Sequence, residues 1–150
     1  MGQLHNRVAL ITGAGRGIGR AIALAYAKEG AKLALAARTS SALEQTAQEA
    51  QALGATTCIM PVDVSEPTQV ESMVRHTVER FATIDILVNN AGIAGPVGPL
   101  QDNDVAAWIR TIQVNLIGTY LCCRAVRPPC STAPTASAPP GRSPIRAPWP

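Results

Sequence analysis

One segment constrains this chain's fold more than any other. It is Thr12-Gly13-Ala14-Gly15-Arg16-Gly17-Ile18-Gly19, set directly behind the apolar run Val8-Ala9-Leu10-Ile11. An apolar run that stops at glycines reads as a buried strand turning sharply into a helix. Gly13, Gly17 and Gly19 are spaced G-x-x-x-G-x-G, which differs from the G-x-G-x-x-G fingerprint because Ile18 stands at its third glycine. The physical demands are similar: a tight turn, close approach of backbone N–H groups to phosphate, and close helix–strand packing. A strand, such a turn and a helix in succession form the phosphate-binding start of a dinucleotide fold.

Beyond this loop the pattern alternates. Arg7 to Thr12 reads as a first strand, and the helix after the loop runs Ile18 to Glu29, with apolar Ile18, Ile22, Ala25 and Tyr26 and a stop at Gly30. Lys32 to Ala37 is a second strand. Ser41-Ala42-Leu43-Glu44 fits a capping box for a helix ending near Gly54. Thr56 to Val62 is a third strand, followed by Asp63. Ser65 is then expected to cap a helix with Pro67 in its first turn, continuing through Val70, Met73, Val74 and Val78 to Phe81. Ile84 to Val88 is a short fourth strand, running into Asn89-Asn90-Ala91-Gly92. After a loop holding Gly95, Pro96, Gly98 and Pro99, Asp104 to about Val126 reads as one long helix. The expected fold class is α/β, a doubly wound Rossmann-type parallel sheet of about four strands.

The character changes at Pro128. Residues 128–150 hold eight of the chain's twelve prolines and show no apolar periodicity, so this tail is expected to be disordered. The domain reading is therefore 1–127 for the dinucleotide-binding part and 128–150 for the tail. Arg124-Ala125-Val126 lies inside a helix with no stop signal, and the tail residues are largely those of GC-rich codons. A frameshift after Val126 or Arg127 is the expectation, with a natural linker as the alternative.

Composition narrows the partners. The net charge is +3, but Arg142 and Arg146 lie in the tail, leaving eleven basic and ten acidic side chains in residues 1–127. No basic patch argues for nucleic acid. Neither a signal-like N-terminus nor an uninterrupted membrane-length apolar run is present, so a cytoplasmic protein without membrane partners is expected. Cys58, Cys122, Cys123 and Cys130 form no C-x-x-C pair, and no metal site is expected.

Four features in order make residues 7–127 resemble the short-chain dehydrogenases/reductases: T-G-x-x-x-G-x-G at Thr12–Gly19, Asp63 after the third strand, N-N-A-G at 89–92, and Asn115 in Gln113-Val114-Asn115-Leu116. The resemblance implies that Thr12, Gly13, Arg16, Gly17, Ile18 and Gly19 surround the pyrophosphate and adenosine ribose. It implies that Asp63 and Val64 hold the adenine, and that Asn90, Ala91 and Gly92 line the cleft. Asn115 would be the catalytic-relay residue, kinking the long helix and freeing a carbonyl for a water. The activity implied is hydride transfer between a nicotinamide and a small carbonyl or alcohol substrate, in enzymes that are usually homo-oligomers.

Cofactor choice follows from chemistry. A carboxylate at the end of the second strand would accept the ribose 2′-OH of NAD, yet Ala36-Ala37-Arg38-Thr39 offers none. Arg38 and Arg16 suit a 2′-phosphate, so NADP is expected over NAD. The family's Ser and Tyr-x-x-x-Lys are missing: the only lysines are Lys28 and Lys32, the tyrosines are Tyr26 and Tyr120, and Ser137 and Ser143 sit in proline-rich sequence. As written the chain is expected to be inactive. A non-catalytic NADP-binding fragment and an interaction fragment, its long helix 104–126 joining full-length subunits, are the alternatives; the uncovered apolar face of Trp108, Ile112, Leu116 and Leu121 is expected to be an aggregation hazard.

Overall fold

The computed structural model describes residues 2–126; expectations about the tail and a break near Val126 lie outside them. Four strands, β1 (Val8–Thr12), β2 (Lys32–Ala37), β3 (Thr57–Pro61) and β4 (Ile86–Val88), form one parallel sheet in the order β3-β2-β1-β4. Leu10 pairs with Ala34 on one side and Leu87 on the other, so β1 is central and all five of its residues are buried. A strand buried on both faces needs an unbroken apolar run, which Val8 to Ile11 provides.

The pleat sends alternate residues to opposite faces. Ala9, Ile11, Leu33 and Leu35 join the core beneath α1 (Gly17–Lys28) and α2 (Ser40–Ala52). Leu10, Ala34, Ala36 and Met60 face the other way, against Val70 and Met73 of α3 (Pro67–Phe81) and Cys122 of α5 (Gly118–Ala125). Strand order turns back beside β1, between β1 and β4, and that reversal opens a crevice at the carboxyl ends of the strands.

Several local expectations need correcting. The sheet face of α1 is the small-residue stripe Gly19, Ala23 and Ala27, whereas Ala25 is exposed and Ile18 is 73% exposed. Close seating of the helix on β1 leaves room only for small side chains at the fully buried positions, while Ile22 and Tyr26 are partly buried against the core as expected. In α2 the capping box does not form: Thr39 is the N-cap without a side-chain bond, and Ser41 already lies inside the helix. The short link from β2 leaves only Arg38 and Thr39 outside regular structure, which starts the helix early. In α3 the N-cap is Glu66 rather than Ser65, whose hydroxyl is committed to Asp63. Thr77, not Val78, takes the buried turn, its hydroxyl donating to the Met73 carbonyl at 2.8 Å.

The long helix is interrupted. Asp104 caps α4 (Val105–Ile112) by accepting from the Ala106 and Ala107 amides, and a π-helical turn over Gln113–Ile117 then leads into α5. Trp108, Ile112 and Leu116 are exposed as expected, joined by Val105, Ile109 and Tyr120. Leu121 instead packs into the core with α3.

Candidate nucleotide site

The glycine loop leaves β1 and folds back under the start of α1. Gly13 has φ +65°, and a Cβ there would stand 2.8 Å from Asn90 Nδ2 and 2.9 Å from Ala91 Cα. At Gly19 a Cβ would lie 2.3 Å from the Gly13 carbonyl oxygen, so the helix rests directly on the loop. Gly17 is different: its φ is +54°, yet nothing lies within 4 Å of where a Cβ would be. That position faces open space. Ala14 N–H donates to Ala36 O at 3.1 Å, while the amides of Gly15 to Gly19 find no acceptor among the described residues. Arg16, the N-cap of α1, makes no side-chain cap, and the first turn holds no acid. Unpaired amides at a helix N-terminus carry partial positive charge and suit an anion. Behind the loop, the buried Thr46 hydroxyl reaches Ala14 O at 3.1 Å and holds the turn from α2.

The β4 side is cross-braced to β1. Asn90 Nδ2 donates to the Thr12 and Gly13 carbonyls, both at 3.2 Å. Thr12 Oγ1 accepts from the Asn90 and Ala91 amides, each at 3.1 Å, and donates to Val88 O. Thr12 is thus a buried brace, with its side chain turned to β4 and outside the cleft lining. Asn115, in the π-helical turn, pairs with one residue's backbone: its Oδ1 accepts from Ile93 N at 2.9 Å and its Nδ2 donates to Ile93 O at 3.0 Å. Its own carbonyl accepts from the Thr119 hydroxyl at 3.0 Å. In this arrangement Asn115 fixes the segment after Asn89-Asn90-Ala91-Gly92 to the helix.

At the far end of the cleft Asp63 follows β3. Burial alone would raise its carboxyl, but the bonds from the Ser65 hydroxyl and amide and from the Arg110 guanidinium outweigh it and hold the group below the usual range. Asp63 stays ionised at neutral pH. Val64 beside it is buried, and its amide donates to nothing among the described residues. Arg16 and Arg38 are exposed, and neither pairs with a carboxylate among the described residues.

Together these parts enclose a cleft of about 610 Å³, within the range of cofactor sites. Gly13, Arg16, Gly17, Ile18, Arg38, Asp63, Val64, Asn90, Ala91 and Gly92 all line it; Thr12, Gly19 and Asn115 support it from behind. Sequence reasoning missed Gly15, Ala37, Thr39, Ala42, Val62, Ile93 and Val114, which complete the walls. Val62 and Val114 stand directly before two residues singled out by motif, and that adjacency was the available signal. Among the described residues no group of three His, Cys, Asp or Glu could hold a metal, and no helix is long and apolar enough to cross a membrane.

The short chain dehydrogenase family model matches residues 7–136. The chain belongs to the short-chain dehydrogenase family. Within it, the chain is 40% identical over 123 residues to the (2S)-[(R)-hydroxy(phenyl)methyl]succinyl-CoA dehydrogenase subunit BbsD of Thauera aromatica, covering 82% of this chain and 49% of that protein. It is also 40% identical over 126 residues to the sepiapterin reductase of Chlorobaculum tepidum, covering 79% and 51%. Among solved structures of the family, NAD+-bound xylitol dehydrogenase superposes with a TM-score of 0.81 at 34% identity, over 83% of this chain and 48% of that one. The chain therefore spans about half the length of the relatives it matches. The fold is the family's NAD(P)-binding fold, and the unpaired amides at Gly15–Gly19 fit a pyrophosphate.

Proposed function

We propose that residues 7–126 are the cofactor-binding half of an NADP-dependent oxidoreductase that interconverts a small carbonyl compound and its alcohol. The observation that carries NADP over NAD is the pair of arginines on the cleft wall, Arg16 and Arg38, both without carboxylate partners among the described residues. The turn after β2 reads Arg38-Thr39, with no acid to accept a ribose 2′-OH. Two guanidinium groups can make charge-assisted, forked bonds to a 2′-phosphate. The glycine-loop amides would take the pyrophosphate, and the Asp63 carboxylate and Val64 amide offer an acceptor beside a donor for the Watson–Crick edge of adenine. Asn90, Ala91 and Gly92 would line the path towards the nicotinamide, with Asn115 holding their loop in place. When bound, the cofactor supplies or accepts the hydride.

General acid–base help requires a group such as Tyr with its Lys partner, and no Tyr-x-x-x-Lys occurs in these 150 residues. These residues accordingly contribute cofactor binding to the reaction. Equilibrium titration followed by NADPH fluorescence tests this. NADPH is expected to bind at least about tenfold more tightly than NADH, a difference that Arg38→Ala largely removes. Equal affinity for both cofactors, or an unchanged ratio in Arg38→Ala, would overturn the NADP assignment.

A second reading is favoured by one observation. Val105, Trp108, Ile109, Ile112, Leu116 and Tyr120 recur at intervals of three and four and are all exposed. Such a face suits a second subunit. Sedimentation of the chain alone and mixed with a full-length relative is the test: a monomer that leaves the relative's assembly and activity unchanged excludes it.

A further inference from the structure

Helix α4 is tied to the cleft wall at Asp63 through one side chain, Arg110. Arg110 is half-buried, while its neighbours Trp108, Ile109 and Ile112 are exposed. Its Nη1 donates to Ser65 Oγ at 2.6 Å, and its Nη2 donates to Asp63 Oδ2. Ser65 in turn donates both its hydroxyl, at 2.7 Å, and its amide, at 3.0 Å, to Asp63 Oδ1. A carboxylate has about four lone-pair sites. Two on Oδ1 are taken by Ser65 and one on Oδ2 by Arg110, which leaves a single acceptor site on Oδ2. Asp63 lines the cleft, so that remaining site belongs to whatever enters at this end.

We infer that Arg110 is a positioning residue: together with Ser65 it locks the Asp63 carboxylate in one orientation, so that base selectivity in the cleft depends on a residue of helix α4. The inference deepens the proposed function and rests on the cleft accepting an adenine dinucleotide. An exocyclic amino group placed against Asp63 finds an acceptor; a carbonyl oxygen at the same place meets a negative charge. Hypoxanthine carries a carbonyl in place of that amino group, and a proton on N1, which makes the deamino form of NADPH the natural probe, with the change on replacing Arg110 reporting the Asp63 part. Without Arg110 the carboxylate keeps its Ser65 bonds but loses the fork fixing Oδ2, and it is free to turn out of line.

The experiment is titration of the whole chain with NADPH and with deamino-NADPH, for the wild type, Arg110→Met and Arg110→Lys. Wild type is expected to prefer NADPH by about tenfold or more, the scale of one hydrogen bond to a charged group. In Arg110→Met the preference falls to within about threefold, and Arg110→Lys, with its charge but no fork, lies between. A clamp that merely ties α4 to the β3–α3 connection would weaken both ligands alike and leave the ratio untouched. An unchanged ratio in Arg110→Met overturns the inference; should that variant not fold, an unchanged ratio in Arg110→Lys does so. Equal wild-type affinity for the two probes overturns it while leaving the cleft reading intact, and no binding of either removes both.

Discussion

Two glycines in the same loop should fail in opposite ways. In Gly19→Ala the new methyl would sit 2.3 Å from the Gly13 oxygen, 2.5 Å from Asn90 Nδ2 and 2.8 Å from the Gly13 carbonyl carbon. Carbon–oxygen contacts settle near ~3.3 Å or beyond, so α1 must withdraw from the loop by about 1 Å. The Gly13 carbonyl is backbone, and the Asn90 amide is held by its bonds to Thr12 and Gly13, so neither moves without a cost. The two Asn90 bonds to Thr12 and Gly13, already 3.2 Å long, would then be broken. Overpacking of roughly 1–3 kcal/mol plus about 1 kcal/mol for each lost bond gives a destabilisation of about 3–5 kcal/mol. With a urea slope of roughly 2 kcal/mol/M, the unfolding midpoint should fall by about 2 M. Gly17→Ala meets no atom and has only its left-handed φ to accommodate, about 1–2 kcal/mol. Gly17 lines the cleft, however, so under the proposed phosphate role of its loop the methyl should lower NADPH affinity more than about tenfold. A Gly19→Ala protein within about 0.5 kcal/mol of the parent, or a Gly17→Ala protein that binds normally, would refute this division of labour.

Three other outcomes follow. Asp85 accepts from the Val8 amide at 2.8 Å and from Arg7 at 3.2 Å; the amide bond is the main force lowering its carboxyl pKa. With Asp85 and Asp63 both depressed in the fold, their contribution is full above the unfolded value near ~3.9 and is lost as pH falls through the folded values. Thermal melts should drop below about pH 4, and less steeply in Asp85→Asn; equal slopes would contradict it. Asn115→Ala removes both bonds to Ile93 and should cost about 1–2 kcal/mol, with the Ile93 amide losing its protection from hydrogen exchange. Burial pushes the Cys58 and Cys122 thiols up to about 11, so alkylation at pH 8 followed by peptide mapping should mark exposed Cys123 well before either.

Legibility in the sequence depended on whether a constraint was local. The loop from Thr12 to Gly19 carries its own geometry, and Val8–Ile11 and Leu33–Ala37 are unbroken apolar runs, so the sheet and its glycine-loop end could be read directly. The packing face of α1 could not, because Gly19, Ala23 and Ala27 are selected for what they lack. Ser65 shows a different failure. Two residues before Pro67, it has the local marks of a helix cap, but a guanidinium 45 positions later and the carboxylate of Asp63 claim its hydroxyl. The brace from Asn90 to Thr12, 78 positions apart, and the pairing of Asn115 with Ile93 likewise exist only once the chain is folded. Motif resemblance pointed to Asp63, Asn90 and Asn115; only tertiary structure gives each its partner.

The most direct test of the account is calorimetric titration of the chain with adenosine 2′,5′-bisphosphate against adenosine 5′-diphosphate. These ligands engage the adenosine end and need neither a nicotinamide nor an acid–base group. Saturable binding of the 2′,5′-bisphosphate, at least about tenfold tighter than the 5′-diphosphate and lost when Arg16 and Arg38 are both replaced by alanine, is the predicted result. Equal affinity for the two ligands, or binding that survives loss of both arginines, would contradict the claim that this cleft is built for a 2′-phosphate.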